Sequence, residues 1–227
     1  MTRIRTVAML LAAMPALHTI PAIAQTGPSR SRVEIGAGLL WTGSIPFGAR
    51  AATETTAAGG TSTLFSTTSD LAGVAGLEGR IGVRVTQSIV LEGQVSYLKP
   101  ELRAAVSADA EGAAAVTAGE VLQQYTIGGR ALFHIPGRRW SPRFAPFAMA
   151  GGGYLRQLHE DATLVQTGRF YQIGGGVSAL LVSRPHFLTR GAGVRFDVSA
   201  LVRSGGVAFD GGSHTSTAAG ASAFVRF

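Results

Sequence analysis

Two short segments of the sequence carry the side chains best suited to catalysis or metal binding. His159, Glu160 and Asp161 are consecutive, and His214 is followed two positions later by Ser216. Imidazole and carboxylate groups can bind a metal ion, and a histidine can serve as base for a serine nucleophile. Consecutive residues on an extended chain point apart, whereas such sites need groups that converge from several elements. The first segment is therefore interpreted as a solvated acidic tip, and we expect no metal and no cofactor.

The order His214, any residue, Ser216 resembles the catalytic pair of the outer-membrane lipid A deacylases. That family places an asparagine after the serine, where this sequence has Thr217, and an acid downstream, whereas no Asp or Glu follows Asp210. A serine without an oriented base is a weak nucleophile. We therefore expect a polar loop tip here and no enzyme, with a deacylase-like activity kept as an alternative.

The composition excludes several other kinds of site. Because there is no cysteine, neither a disulfide nor a thiolate metal site can form. The net charge of +7 comes from dispersed arginines, of which only Arg138 and Arg139 are adjacent. Nucleic-acid binding needs clustered basic residues and is not expected. The triplets Gly151–Gly153 and Gly174–Gly176 lack the Lys-Ser/Thr and the helix of a phosphate loop, and are interpreted as bends in strands.

Residues 1–24 have the three parts of a secretory signal peptide. These parts are the basic Arg3 and Arg5, the apolar Val7 to Leu17, and the small Ala22 and Ala24. Cleavage is predicted before Gln25. The alternative, a membrane anchor, is disfavoured because the apolar stretch is far shorter than the roughly 20 residues that a spanning helix needs. Residues 25–227 are then expected to form one exported domain.

The rest of the chain alternates with a period of two, which predicts β-strands. In Leu77 to Val85, Leu77, Ile81 and Val83 share one face, while Glu78 and Arg80 share the other. About eight strands are predicted: Val33 to Trp41, Leu77 to Val85, Ile89 to Tyr97, Gln124 to His134, Phe144 to Leu155, Phe170 to Val182, Val194 to Val202 and Ala218 to Phe227. Several approach the roughly 10 residues of a tilted membrane strand.

The polar faces combine charges with small residues, such as Gly36, Gly174 and Ser178. A narrow barrel lumen needs small residues beside long charged ones, so we expect the charges inside and the apolar faces against lipid. The predicted lumen charge network consists of Glu34, Glu78, Arg80, Arg84, Glu92, Arg130, Arg195, Asp197 and Arg226. Structural salt bridges are the preferred interpretation. A narrow channel is the alternative, and it would favour anions because arginines outnumber acids.

Long and short connections are predicted to alternate strictly along the chain, as in transmembrane barrels. Thr42 to Leu71 and Lys99 to Glu120 are long, whereas Thr86 to Ser88 is short. Ala49 to Asp70 and Ala104 to Ala118 are low in complexity and are expected to be mobile external loops. Both termini would then lie on the periplasmic side.

Three segments resemble late strands of the small outer-membrane β-barrel family related to the transmembrane domain of outer-membrane protein A. They are PFAMAGGGY (Pro146 to Tyr154), YQIGGGVSALL (Tyr171 to Leu181) and GVRFDVSALV (Gly193 to Val202). The terminal Ala219 to Phe227 resembles the C-terminal signal that the barrel assembly machinery reads in outer-membrane proteins. The resemblance implies an all-β, antiparallel up-and-down transmembrane barrel in a Gram-negative outer membrane. It also implies that lipid, lipopolysaccharide and the barrel assembly machinery are partners, the last reading a signal at Ala223, Val225 and Phe227. We expect a monomer that has no peptidoglycan-binding domain.

Aromatic residues fall near the predicted strand ends on the apolar face: Trp41, Tyr97, Phe133, Tyr171 and Phe227. Aromatic rings favour the two bilayer interfaces, so we expect a girdle, with core packing as the alternative in a soluble barrel. The sequence therefore predicts a non-enzymatic barrel with an occluded lumen and a structural or interaction role through its loops. A channel, a lipid-modifying enzyme and a soluble periplasmic barrel with an apolar interior remain alternatives.

Overall fold

The computed structural model describes residues 32–55, 59–107, 114–135, 143–159, 164–183, 189–207 and 212–227. The predicted signal peptide, residues 1–24, lies outside the described residues, as do Glu160, Asp161 and the pair Arg138 and Arg139. Every regular element in the described part is a β-strand. A search of that part finds no helix with the length and hydropathy to span a bilayer.

Twelve strands follow one another along the described chain. They are β1 (Val33–Thr42), β2 (Ile45–Thr55), β3 (Thr61–Leu71), β4 (Val74–Arg84), β5 (Ile89–Leu98), β6 (Glu101–Ser107), β7 (Val116–Val121), β8 (Gln123–His134), β9 (Phe144–Leu158), β10 (Val165–Ser183), β11 (Gly191–Gly205) and β12 (Ser213–Arg226). Eight of them close a barrel in the order β1-β12-β11-β10-β9-β8-β5-β4, and each neighbouring pair is antiparallel. The predicted all-β, eight-stranded up-and-down barrel is confirmed.

All eight predicted strands are barrel strands, and the differences lie at their ends. β10 begins at Val165 rather than Phe170, and β11 continues past Val202 to Gly205. There the strands continue as paired hairpins, with Val165 opposite Leu158. Backbone hydrogen bonding extends a ladder even where the side chains no longer alternate between lipid-like and polar surroundings. The hydrophobic pattern therefore underestimates strand length.

The two faces of the barrel wall are oriented as the charge pattern predicts. In β4, Leu77 is 61% exposed and Ile81 54%, whereas Glu78 and Arg80 face the interior and are buried. Exposed apolar side chains continue around the wall, among them Leu39, Ile127, Ile173 and Val198. A soluble barrel with an apolar interior has the opposite arrangement and is excluded.

The prediction that the two longest connections form mobile loops is wrong for their described residues. β2, β3, β6 and β7 form a separate four-stranded sheet in the order β2-β3-β6-β7. Thr-rich segments favour extended backbone, and neighbouring hairpins can satisfy each other's backbone hydrogen bonds without an apolar face. We call the barrel end that carries these strands the sheet end. The opposite end, where β4 meets β5, is called the turn end.

The predicted strict alternation of connection lengths also fails. It holds for the connections that contain the second sheet, but the turn-end connection 135–143 is longer than the sheet-end connection 159–164. The latter is short because β9 and β10 continue as a hairpin beyond the barrel, and the His159 N–H donates to the Leu164 carbonyl at 3.2 Å. Residues predicted to form loop are thus part of the ladder.

Candidate functional site in the barrel lumen

The centre of the lumen holds a network of buried ion pairs contributed by five strands. Arg130 on β8 contacts Glu92 on β5, its direct cross-strand neighbour, at 2.6 Å and Glu78 on β4 at 3.2 Å. Arg195 on β11 contacts Glu92 at 2.7 Å and also pairs with Glu34 on β1. β11 and β5 lie opposite each other in the barrel order, so the Arg195–Glu92 pair crosses the full width of the lumen.

Arg80 and Asp197 form a looser part of the same network. The nearest acids to Arg80 Nη1 are Glu78 at 3.7 Å and Asp197 at 4.0 Å. No hydrogen-bond partner is found among the described residues for any of the three guanidinium nitrogens of Arg80, or for Asp197 Oδ1. Arg80 is therefore held by charge at longer range, whereas Arg130 and Arg195 make close hydrogen bonds.

The other two predicted lumen residues lie near the turn end. Arg226 Nε donates to Glu34 Oε2 at 2.9 Å, which joins it to the network through Glu34. Arg84 instead donates to the backbone carbonyl of Gln87 at 3.4 Å. The structure thus brings eight of the nine predicted charges into one connected set and places Arg84 at the neighbouring turn.

Glycines on the inner wall leave the space that the arginines occupy. A Cβ at Gly36 would lie 2.7 Å from Arg80 Nε, and one at Gly220 would lie 2.9 Å from Asp197 Oδ2. Both distances are shorter than van der Waals contact allows, so a larger residue would displace the charged group. This agrees with the expectation that small residues accompany long charged ones in a narrow barrel.

Apolar side chains lie beside the network at the turn end, which the sequence pattern did not predict. Val90, Leu132, Phe147 and Met149 are buried together, and we call this cluster the turn-end floor. The Arg195 guanidinium lies 5.3 Å from the ring centroid of Phe147. These residues occupy inward positions on β5, β8 and β9, where the alternation predicts polar groups.

A second apolar cluster lies at the sheet end. Ile45, Leu71, Leu122 and Val207 are buried together, with Phe47 and Leu102 packed against them, and we call this cluster the sheet-end cap. Ile45 is the first residue of β2 and Leu71 is the last residue of β3. Leu122 lies between β7 and β8, and Val207 follows β11. The cap shows why the second sheet is ordered at its base, since apolar burial anchors both of its hairpins to the barrel.

Beneath the cap, three long polar side chains that the sequence analysis missed form a hydrogen-bonded chain. Gln124 Oε1 accepts bonds from Arg203 Nη1 at 3.2 Å and from Gln157 Nε2 at 3.0 Å. Gln157 Oε1 in turn accepts the Val207 backbone N–H at 2.8 Å. Arg203 continues the inward positions of Arg195 and Asp197 on β11, but the predicted strand ended one residue before it.

Between the central network and the cap lies a cavity of about 30 Å³. One buried water needs about 10–15 Å³ on this measure, so the space suits about two waters. The cavity is lined by residues of both sides, including Glu78, Arg130 and Asp197 from the network and Gln94, Gln124, Gln172, Ser199 and Arg203 from the sheet-end half.

The residues with catalytic potential are placed differently from the predictions. His214 and Ser216 belong to β12 and face inward, so the predicted polar loop tip is wrong at these positions. Ser216 is buried and its Oγ has no hydrogen-bond partner among the described residues, while His214 packs edge-on against Phe47 at 5.1 Å. In the part of the chain that the structure describes, no base therefore forms a hydrogen bond with the Ser216 hydroxyl.

His159 also departs from its predicted role in a solvated tip. It is largely buried, and its Nδ1 lies 2.6 Å from Glu120 Oε1 on β7. This contact links the second sheet to the β9–β10 hairpin. Within the described residues, no group of three metal-capable side chains is found.

The predicted aromatic girdle residues lie on the outer wall, with two differences from the prediction. Trp41, Phe133 and Tyr171 are exposed, but Tyr171 is well inside β10 rather than at its end. Tyr97 is half-buried because it packs against Tyr125, with ring centroids 4.9 Å apart.

The end of β12 closes the barrel against β1. Ala223 pairs with Ala37, and Val225 pairs with Ile35. The Phe227 N–H then donates to the Val33 carbonyl at 2.9 Å, so the last residue continues this pairing.

Three solved structures resemble this one at low sequence identity. They are Ail, the attachment invasion locus protein of Yersinia pestis (10% identity, TM-score 0.40), Neisserial surface protein A (15%, 0.43) and the outer membrane protein OprG from Pseudomonas aeruginosa (11%, 0.47). The similarity covers 88%, 86% and 88% of this chain and 100%, 95% and 97% of those chains, respectively. No protein-family model matches the sequence. No curated protein matches it either.

Identities and TM-scores this low leave the function to be argued from the residues of this chain. The strand pairing of this chain establishes its architecture. The protein has the fold that the sequence resemblance implies, a closed antiparallel barrel of eight strands with charges inside and apolar side chains outside.

Proposed function

We propose that the protein is a monomeric outer-membrane barrel with an occluded lumen, which acts through the four-stranded sheet that it presents outside the cell. The observation that carries this proposal is the combination of a lumen filled at three levels with a second sheet built on one end only. A barrel of this kind offers no path for a solute, whereas its sheet is available to other molecules.

The apolar outer wall supports membrane residence. Soluble monomers rarely expose continuous apolar patches larger than a few hundred Å². Here large apolar side chains are exposed on seven of the eight barrel strands, all but β12, while the buried charges face inward. Hydrocarbon is the solvent that such a surface suits, and a closed barrel leaves no backbone edge unsatisfied within it. Outer-membrane lipid and lipopolysaccharide are then the partners of the wall.

Three layers support occlusion: the turn-end floor, the ion pairs across the lumen and the sheet-end cap. An ion that crosses a pore needs water or polar groups around it along the whole path, because these replace its hydration shell. The apolar clusters at both ends offer none, and the cavity between them has a volume of only about 30 Å³. An anion channel would require both clusters to open.

The second sheet supports an interaction role. Its outer ends are exposed on both faces, and its side chains there are mostly Ala, Thr and Ser. In the described chain, no strand pairs with the outer edges of β2 and β7. Unpaired strand edges are templates for an added strand, which is a recurrent mode of protein recognition.

Conductance tests the occluded lumen directly. Full-length mature protein is purified from outer membranes and inserted into planar bilayers, with insertion checked by heat-modifiable gel mobility. We expect no stepwise conductance in potassium chloride, because the floor and the cap exclude hydrated ions. Regular anion-selective steps would contradict the proposal and favour the channel alternative.

The deacylase alternative lacks support at Ser216, whose hydroxyl has no hydrogen-bond partner among the described residues. Lipid A from cells that express the protein should therefore keep its full set of acyl chains by mass spectrometry.

A further inference from the structure

Arg203 differs from the other deeply buried arginines of the lumen. It is 6% exposed, and its one hydrogen bond in the described structure goes to the neutral Gln124 Oε1. By contrast, Arg130 and Arg195 each contact two glutamates. Within the described part of the chain, no ion pair joins Arg203 to a carboxylate.

A buried cation needs a partner because the low-dielectric interior does not replace its hydration. The cavity between the central network and the cap borders Arg203. Gln172, which is 9% exposed, borders the same cavity, and its Nε2 has no hydrogen-bond partner among the described residues. Two kinds of N–H donor therefore border one small cavity, which Gln94 Oε1 and Asp197 Oδ1 also border without a hydrogen-bond partner among the described residues.

We propose that this cavity is a binding site for one small monovalent anion of the halide class, with chloride as its ordinary occupant. Arg203 supplies the charge, and the Gln172 amide supplies a second donor. A volume of about 30 Å³ has room for an ion of this size and is too small for an organic anion as large as gluconate. Glu78 and Asp197 border the cavity from the side of the central network, where Arg130 and Arg80 face them.

The bound anion would stabilise the sheet end of the barrel. Gln124 connects Arg203 to Gln157, which holds the Val207 backbone of the cap. Neutralising Arg203 therefore removes an electrostatic penalty directly beneath the cap. A ligand that binds only the folded state lowers the unfolding equilibrium constant, by about 100-fold when its concentration is 100 times its dissociation constant.

The test compares chloride with an anion too large for the cavity. The urea midpoint of the full-length mature protein in zwitterionic micelles is measured in sodium chloride and in sodium gluconate at equal ionic strength. We expect a higher midpoint in chloride, rising with the logarithm of its concentration. The difference should vanish in Arg203→Gln and persist in Arg103→Gln, which removes an exposed arginine from β6. Equal midpoints in the two salts, or a chloride effect retained by Arg203→Gln, would overturn the proposal.

A second measurement covers the case in which Arg203→Gln does not fold. Crystals of the wild-type protein are grown in sodium bromide, and anomalous diffraction is collected at the bromine edge. We expect a peak within hydrogen-bond distance of the Arg203 guanidinium and Gln172 Nε2. If that position holds only water and no anomalous peak, the anion site does not exist.

Discussion

At the residue scale, the alternating pattern identifies the lumen charges but not their pairing. Period two places Glu92 and Arg195 inside the barrel, yet their contact depends on β5 and β11 being opposite in the closed order. Local sequence carries no information on that geometry. Arg203 and Gln157 were missed because the predicted strands end before them, where the outward residues lose their apolar character.

Arg195→Leu should destabilise the barrel more than Arg80→Leu. Arg195 binds both Glu92 and Glu34, so its loss leaves two buried carboxylates each short of one partner. Breaking a buried pair in this way costs about 3–5 kcal/mol. Arg80→Leu should cost less, because Arg80 makes no hydrogen bond with its guanidinium group in the described structure.

Urea titration followed by heat-modifiable mobility measures this order. Arg103→Leu is the control, since Arg103 pairs with Glu101 on an exposed surface and should leave the midpoint unchanged. A midpoint for Arg195→Leu equal to that of the control would show that the cross-lumen pair does not stabilise the barrel.

At the scale of elements, the eight barrel strands could be predicted because lipid-like and polar surroundings impose opposite demands on the two faces of each strand. The four strands of the second sheet could not be predicted in this way, because most of their outer residues are exposed on both faces. Without a buried face there is no hydrophobic period to detect. Only the residues that anchor these strands in the sheet-end cap, such as Ile45 and Leu71, are apolar and buried.

Gly38 should be essential to the contact between β1 and β12. A Cβ at Gly38 would lie 2.2 Å from the Ala221 carbonyl oxygen, so the backbone must shift to admit any side chain. Gly38→Ala is expected to lower stability by about 1–3 kcal/mol, as overpacking does. Gly79→Ala is the control, because its Cβ would meet only Val95 Cγ2 at 3.5 Å. Equal urea midpoints for the two variants would contradict this close approach.

Phe227→Ala tests whether the terminal aromatic is an assembly signal. The alanine keeps the backbone bond to Val33, so the substitution separates the side chain from barrel closure. We expect a several-fold lower yield in the outer membrane but a normal urea midpoint for the fraction that folds. Phe144→Ala removes another exposed aromatic at a strand end and should give the wild-type yield. Wild-type yield for both variants would remove the assembly role.

At the scale of the whole molecule, the two barrel ends differ in construction, and we expect this asymmetry to determine the orientation of the barrel in the outer membrane. The sheet end carries an additional sheet on an apolar cap, whereas the turn end has the tight β4–β5 connection, in which Thr86 Oγ1 accepts the Ile89 N–H at 3.0 Å. Transmembrane barrels place short turns in the periplasm and extended structures outside. The alternation of connection lengths predicts this polarity, which stays a prediction, and the described residues of the two long connections form strands rather than irregular loops.

The absence of cysteine allows a direct test of the orientation, because any introduced thiol is the only one in the chain. Ser62→Cys places a thiol at an exposed position of β3, and Gln87→Cys places one in the exposed β4–β5 turn. A membrane-impermeant maleimide added to intact cells should label Ser62→Cys and spare Gln87→Cys, whereas both should react after the outer membrane is permeabilised. Both residues are exposed, so burial cannot account for a difference between them. Labelling of Gln87→Cys alone in intact cells would mean that the barrel is inserted with its second sheet in the periplasm, and the sheet could not then be a surface for partners outside the cell.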